Sequence, residues 1–144
     1  MKLINLKFLL LFFCIALLGA VFISFFYVPF MVVDVQNVPM KVKVIETTGK
    51  AGFDTNSSVL AFGTLSSGTS STRQMVLHND HGERLRVLVY SEDMLGEWVT
   101  YSEDSFILES GEGREISIRM HVPQRVVPGN YSGDVVFLFK RVLI

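Results

Sequence analysis

The sequence is poor in cysteine: among its 144 residues only Cys14 is one, and it lies inside an apolar N-terminal run. The rest of the chain therefore holds no internal disulfide bond, which excludes the small disulfide-stabilised secreted domains. Cys14 is also a poor lipidation site, because Phe12 and Phe13 precede it where a bacterial lipobox has small residues. We expect a domain that is stabilised by side-chain packing.

Charged residues are absent between Lys7 and Asp34, where Leu, Phe, Ile, Val and Ala predominate. This run exceeds the roughly 20 apolar residues that cross the hydrocarbon core of a bilayer, and it is too long for a core helix of the small domain that follows. A helix from Phe8 to the residue before Pro29, where we expect the exit from the membrane, would rise about 31 Å. The run predicts a transmembrane signal-anchor over 8–33.

The flanks of the run predict its orientation. Lys2, Lys7 and the terminal amine lie before it, whereas the first charge after it is acidic. By the positive-inside rule, residues 1–7 are then cytoplasmic and these two lysines are the topology determinants. Lys41 and Lys43 reduce the contrast but do not reverse it.

A cleaved signal peptide is the competing interpretation of the N-terminus. Its positively charged region would precede the apolar run, and Leu18-Gly19-Ala20 would supply a small-residue cleavage site. Cleavage there would leave the apolar stretch from Val21 to Val33 as a new, exposed N-terminus, which would aggregate or return to lipid. This consequence favours an uncut anchor.

Beyond the run, short segments alternate apolar with polar residues, which is typical of strands with one buried face. Stretches rich in Gly, Ser, Asn and Asp separate them, as turns require. After a short linker over 34–39, the domain 40–144 is therefore predicted to be all-β, as an immunoglobulin-like antiparallel β-sandwich. The predicted strands are Met40–Glu46, Val59–Phe62, Arg73–His78, Leu85–Tyr90, Trp98–Tyr101, Ser105–Leu108, Glu115–Val122 and Asp134–Val142.

A recurring pattern is visible within this string of strands. One strand ends in Phe62-Gly63, a loop of Gly, Ser and Thr follows, and the next strand ends in Leu77-His78-Asn79. The pattern resembles immunoglobulin-like domains of the major-sperm-protein and envelope-protein type, and Pro128–Val135 is similar to their final hairpin. The resemblance implies a spacer, scaffold or protein-binding module rather than an enzyme. We expect Asn79 to close the turn after its strand and Tyr131 to cap one end of the core.

One group of residues has the types that bind metal ions. His78, Asp80 and His81 lie within four residues of one another, and His121 follows later. In a strand-to-turn setting, however, their side chains need not converge. We therefore expect a solvated turn and no metal site.

The remaining polar residues form no recognisable catalytic pattern. Carboxylates are grouped at Glu92-Asp93, Glu103-Asp104 and Glu109–Glu115, which are predicted turns and strand edges, where charge keeps a β-domain soluble. No nucleophile-elbow motif and no Gly-rich phosphate loop is present. With a formal net charge of −1, no basic patch suggests nucleic acid. The sequence predicts no enzyme, no cofactor and no nucleic-acid partner.

Three further residues carry specific expectations. Asn56 and Asn130 begin Asn-x-Ser sequons in predicted loops, so they are glycosylation acceptors if the domain faces outward. Trp98, the only tryptophan, is expected to face the core together with Thr100 if the strand alternates strictly.

The leading functional hypothesis is a single-pass membrane protein with an extracytoplasmic immunoglobulin-like domain. It would contact lipid through its helix, and a protein or glycan through its domain, as a scaffold or interaction module of a cell-envelope complex. A pilin- or archaellum-like filament subunit is the alternative, although Lys7 is followed directly by Phe8 without the small residue that ends a prepilin leader. With the orientation reversed, a cytoplasmic membrane-tethering module would be expected.

Overall fold

A computed structural model describes residues 6–46 and 59–142 of the chain. Over these residues, one long helix is followed by eight strands in two sheets, with a short 3-10 helix between the fourth and fifth strands. The elements are α1 (Leu6–Met31), β1 (Val32–Ile45), β2 (Leu60–Ser66), β3 (Ser70–His78), β4 (Leu85–Tyr90), the 3-10 helix (Met94–Trp98), β5 (Val99–Tyr101), β6 (Ser105–Leu108), β7 (Gly113–His121) and β8 (Gly129–Arg141).

Helix α1 is the one candidate membrane-spanning helix among the described residues, over Lys7–Met31. Its apolar side chains are exposed on all sides, as expected for a helix that faces lipid rather than a protein core. The helix does not end before Pro29 as predicted, but continues to Met31. Proline removes only one backbone hydrogen bond here, and the helix ends two residues later, so the disruption is confined to its last turn.

No linker separates the helix from the sheets. Strand β1 begins at Val32, directly after Met31, so the residues expected to form a linker, 34–39, lie inside the strand. Strand β1 extends over these residues because it pairs with β8. The two strands run antiparallel from Val44↔Gly129 to Val32↔Lys140, so β1 is paired along nearly its whole length. The β-domain therefore begins where the helix ends.

The larger sheet has five strands in the order β2-β1-β8-β4-β6. Its pairs are antiparallel with one exception, because β1 and β2 run parallel from Met40↔Leu60 to Ile45↔Ser66. The prediction of a purely antiparallel sandwich is wrong for this pair. A parallel pair needs a connection of about a dozen residues or more, and the sequence has 14 residues between Ile45 and Leu60. Strand periodicity alone does not indicate direction.

The smaller sheet has three antiparallel strands in the order β3-β7-β5. The chain passes from the larger to the smaller sheet in a tight turn after β2. Gly68 in this turn has a φ of +78°, which glycine adopts without strain, and its N–H donates to the carbonyl of Val122 at 2.9 Å. The turn is thus tied to the end of β7.

The two sheets share one hydrophobic core. Phe62, Phe137 and Phe139 are its largest fully buried side chains, and Trp98 is 8% exposed, which confirms that the tryptophan faces the core. The expected strict alternation is not observed, because Trp98 ends the 3-10 helix and β5 begins only at Val99. Trp98 and Val99 are therefore both buried, while Thr100 is exposed.

Candidate interaction surface

The histidines considered as metal ligands are separated by the fold. His78 pairs with Gly113 at one end of the β3–β7 ladder, and its ring packs over that glycine. His121 pairs with Ser70 at the other end, where its Nδ1 lies 2.8 Å from the Ser70 hydroxyl oxygen. Within residues 6–46 and 59–142, no group of three His, Cys, Asp or Glu side chains is placed to hold a metal ion.

Asn79 organises the turn that contains these polar residues. It is 0% exposed, and its side-chain amide nitrogen donates to the carbonyl oxygens of Glu83 at 2.8 Å and of Leu108 and Glu109 at 3.1 Å. Its side-chain oxygen accepts the N–H of His81 at 3.1 Å. The prediction that Asn79 closes this turn is confirmed, and the amide also ties the turn to the end of β6.

Two carboxylates of the predicted surface groups, Glu103 and Glu109, form ion pairs with arginines, and Glu83 forms a third pair. The pairs are Arg84–Glu109 at 3.0 Å, Arg114–Glu103 at 3.1 Å and Arg141–Glu83 at 2.8 Å. All of these side chains are more than a third exposed, where an ion pair stabilises the fold by less than about 1 kcal/mol. These acids are engaged with arginines across strand ends, an arrangement that favours a structural role.

The pairing of β1 with β8 defines two opposite ends of the β-domain, one next to helix α1 and one remote from it. Val32 at the start of β1 pairs with Lys140, so this end of the sheets adjoins helix α1. Val44 pairs with Gly129, about 35 Å farther along the strands at 3.3 Å per residue. The loop over residues 122–128 leads into β8 at this far end, whereas the 3-10 helix Met94–Trp98 lies beside β8 between the levels of Asp134, which Asp93 contacts, and Tyr131, which Trp98 contacts.

Tyr131 joins these two segments. Its hydroxyl donates to the carbonyl oxygen of Val127 at 2.6 Å, and its ring lies 5.0 Å from that of Trp98, centroid to centroid. The expectation that Tyr131 caps one end of the core is confirmed, since its half-buried ring packs against the core cluster. Because Trp98 ends the 3-10 helix, the tyrosine connects that helix with the 122–128 loop.

Asp93 holds the 3-10 helix against β8. One of its carboxylate oxygens accepts the backbone N–H of Asp134 at 2.7 Å, and Gly133 leaves room for this approach. Gly96 lies against the backbone of Ser91, so that a side chain at this position would come within 2.8 Å of the Ser91 carbonyl oxygen. The 3-10 helix is therefore fixed by close contacts on two sides.

Two large apolar side chains are exposed on this rigid support. Met94 is 70% exposed at the start of the 3-10 helix, and Val127 is 76% exposed next to the Tyr131 hydroxyl. We call Met94 and Val127, together with the Trp98–Tyr131 contact that joins their two segments, the far-end surface. The sequence predictions did not include Met94 or Val127; the available signal was an apolar residue inside a turn-rich segment, which is weak because single exposed apolar residues are common.

The structure describes one of the two sequon asparagines and one of the two lysines that were predicted to set the topology. Asn130 is exposed at the start of β8, where it pairs with Lys43. Lys7 is exposed in the first turn of α1. Asn56 and Lys2 lie outside the described residues. An outward-facing domain would therefore present Asn130 to solvent.

Among the described residues, Tyr101 is the one whose pKa the fold shifts clearly. Burial raises the pKa of its phenol above the ordinary value of 10.0. Its hydroxyl oxygen is buried and has no hydrogen-bond partner among the described residues. Burial is the cause of this shift, because the Tyr101 side chain packs against the core cluster.

Comparisons with protein families, with curated proteins and with solved structures found no match to the chain. The likeness to immunoglobulin-like domains thus stays a prediction from short sequence motifs. The function is inferred from the geometry of the helix, the sheets and the far-end surface.

Proposed function

We propose that the chain is a single-pass membrane protein whose extracytoplasmic, immunoglobulin-like domain binds a protein or glycan partner as a scaffold or interaction module of the cell envelope. Helix α1 anchors it in the bilayer. The far-end surface makes the partner contact, without catalysis.

The observation that carries this proposal is the placement of the contact surface on the half of β8 that is remote from the anchor. Lys140 is level with the first residue after the helix, and Gly129 lies beside the far-end surface. Val127, two residues before Gly129, is thus about 35 Å from the helix along the strands. Met94, next to the Asp93 that contacts Asp134, is about 20 Å from it, so the anchor obstructs neither side chain. Exposed apolar side chains on a fixed support are well suited to binding, because little conformational entropy is lost when they are covered.

The immunoglobulin-like form is supported by two features. Five- and three-stranded sheets share one core, as in sandwich domains. The Tyr131 hydroxyl donates to a backbone carbonyl four residues upstream, which is similar to the tyrosine corner of immunoglobulin domains. The parallel β1–β2 pair is a departure from the antiparallel pairing of the other strands.

Photo-crosslinking in native cells tests the proposal. A benzophenone amino acid in place of Met94 or Val127 should form a discrete adduct, because both side chains are exposed on the far-end surface. The same amino acid at Thr72 or Gln74, which are exposed on the outside of the smaller sheet, is the matched control. Mass spectrometry of the adduct then identifies the partner as protein or glycan.

Adducts that form equally at the control positions would contradict the proposal, as would no adduct at either far-end position. An adduct between two copies of this chain would instead support the filament alternative. Each outcome thus favours or rejects the far-end surface as the place where a different molecule binds.

A further inference from the structure

The outer face of the larger sheet, meaning the side away from the core, has an unusual composition at β8. Val135, Phe137 and Phe139 point into the core, so Val136 and Leu138 point outward by alternation. Five consecutive apolar residues are typical of a strand that is covered on both faces. The sequence of β8 thus indicates a covering layer on the outer face.

Neighbouring strands extend this apolar patch. Leu138 pairs with Val35 on one side and with Leu88 on the other, and Val136 pairs with Tyr90. Val35 is 49% exposed, and the others are half-buried. The outer face of the smaller sheet differs, since its exposed side chains are mostly polar: Thr72, Gln74, Thr100, Glu115 and Arg119.

Cations border the apolar patch. Lys140 of β8 and Arg86 of β4 stand at opposite positions in the strand register, at the end that adjoins α1. Lys41 and Lys43 lie on the same face farther along β1. Asp134 is the single carboxylate among the described strand residues of this face, although the chain as a whole has a formal net charge of −1. The three ion pairs recorded for the described residues use other arginines. The outer face is therefore cationic around an apolar centre.

The connection between helix and sheet brings this face close to a bilayer. β1 follows Met31 directly, and a register shift between Val32 and Asp34 marks a bulge, which bends a strand. The Arg141 guanidinium at the end of β8 lies 4.8 Å from the ring centroid of Phe30 in α1. The end of the sheet that carries Lys140 thus adjoins the segment that is expected to contact lipid, although Arg141 itself alternates onto the side opposite Lys140.

We propose that the outer face of the larger sheet docks on the surface of the bilayer that α1 crosses, with Lys41, Lys43, Arg86 and Lys140 binding anionic lipid headgroups. Val35, Leu88 and Leu138 then rest at the interface, where amphipathic surfaces of this kind bind. A second copy of the chain is a less suitable cover, because face-to-face packing would bring two sets of these cations together. The docked domain lies along the bilayer, so its far-end surface meets partners close to the membrane.

Fluorescence of the full chain in lipid nanodiscs tests this proposal. In a Cys14→Ala background, Ser105→Cys places an NBD probe on the outer face beside Leu88, at a position where the native side chain is exposed. Gln74→Cys places the same probe on the outside of the smaller sheet. In discs that contain phosphatidylglycerol, we expect the probe at position 105 to be protected from iodide and quenched by headgroup-attached spin labels, and the probe at position 74 to show neither effect.

Charge removal provides the second measurement. Because each cation near an anionic surface contributes about fivefold, Arg86→Gln with Lys140→Gln should lower the ratio of docked to free domain roughly 25-fold. The matched control is Arg119→Gln with Arg125→Gln, which removes two cations that lie off the outer face and should leave the ratio unchanged. Circular dichroism confirms that each variant is folded.

Three results would overturn docking on anionic lipid. The first is equal access of iodide to positions 105 and 74, and the second is equal protection in discs of phosphatidylcholine alone. The third is protection that occurs in detergent and rises with protein concentration, which would identify a second copy as the cover. None of these results depends on the far-end partner, so the proposed function is tested separately.

Discussion

At the scale of single residues, Asn79 is the one fully buried polar side chain among the described residues. The β3–β4 turn and the end of β6 present backbone carbonyls to it, and one amide group satisfies them while also accepting an N–H. A buried carbonyl that loses its partner costs more than an average hydrogen bond contributes. This position is therefore expected to be sensitive to substitution.

We expect Asn79→Ala to lower the free energy of unfolding by about 3 kcal/mol, because several buried backbone groups lose their partner at once. Guanidinium denaturation of the full chain in detergent, followed through the fluorescence of Trp98, measures the change. Asn37→Ala is the matched control, since Asn37 is exposed on β1, and it should alter stability by less than about 0.5 kcal/mol. Equal effects of the two substitutions would show that the Asn79 contacts do not stabilise the turn.

Substitution of tyrosine by phenylalanine can be compared at two positions whose hydroxyl groups differ in hydrogen bonding. Tyr131→Phe removes a hydroxyl that donates to the Val127 carbonyl and should cost about 1 kcal/mol. Tyr101→Phe removes a buried hydroxyl that has no partner among the described residues, so it should be neutral or stabilising. The same denaturation measurement compares them, and a larger loss from Tyr101→Phe than from Tyr131→Phe would contradict both assignments.

The pH dependence of Tyr101 gives a second readout of these variants. Burial raises its pKa in the folded state, so the neutral phenol is favoured there, while the unfolded chain ionises near the ordinary value of 10.0. The resulting contribution to stability is complete below that pH and is lost as the pH rises toward the folded-state pKa. Wild type should therefore lose more stability than Tyr101→Phe above this pH.

At the scale of elements, the alternation of apolar and polar residues predicted which segments form strands better than it predicted where those strands begin and end. Leu85–Tyr90 and Ser105–Leu108 were predicted with the observed boundaries, because alternating residues lie between clear turn residues. The first eight residues of β1 were not predicted, since Asn37 and Pro39 are unfavourable in strands. They are held in the strand by pairing with β8, a long-range contact that local sequence does not reveal.

A bulge in β2 gives a test at this scale. The register with β1 shifts between Ala61 and Gly63, and Gly63 has a φ of +75°, which only glycine adopts readily. Gly63→Ala should therefore cost about 1–2 kcal/mol of stability. Gly82→Ala is the control, because an added carbon there would meet nothing within 4 Å, and it should be nearly neutral in the same denaturation measurement. A neutral Gly63→Ala would show that the bulge relaxes without strain.

At the scale of the whole molecule, the long apolar helix and the β-rich domain could be predicted from sequence, whereas the two proposed interaction surfaces could not. An uncharged apolar run and period-2 alternation are local signals, and each determines its own element. The far-end surface depends on the contact between Trp98 and Tyr131, and the outer face depends on the order of strands in the larger sheet. Both arise from long-range pairing, which sequence alone does not specify.

Orientation in the membrane is the property on which every outward-facing role depends. Lys2 and Lys7 precede the candidate span closely and no acidic residue accompanies them, so the domain is expected outside the cytoplasm. Lys2→Glu with Lys7→Glu should invert or scramble insertion, while Lys2→Arg with Lys7→Arg keeps the charge and should insert as wild type does. Protease added to intact cells should digest the wild-type domain. If the domain is cut only after lysis, while other outer domains are cut beforehand, the orientation is reversed and a cytoplasmic tethering module of the major-sperm-protein type becomes the better hypothesis.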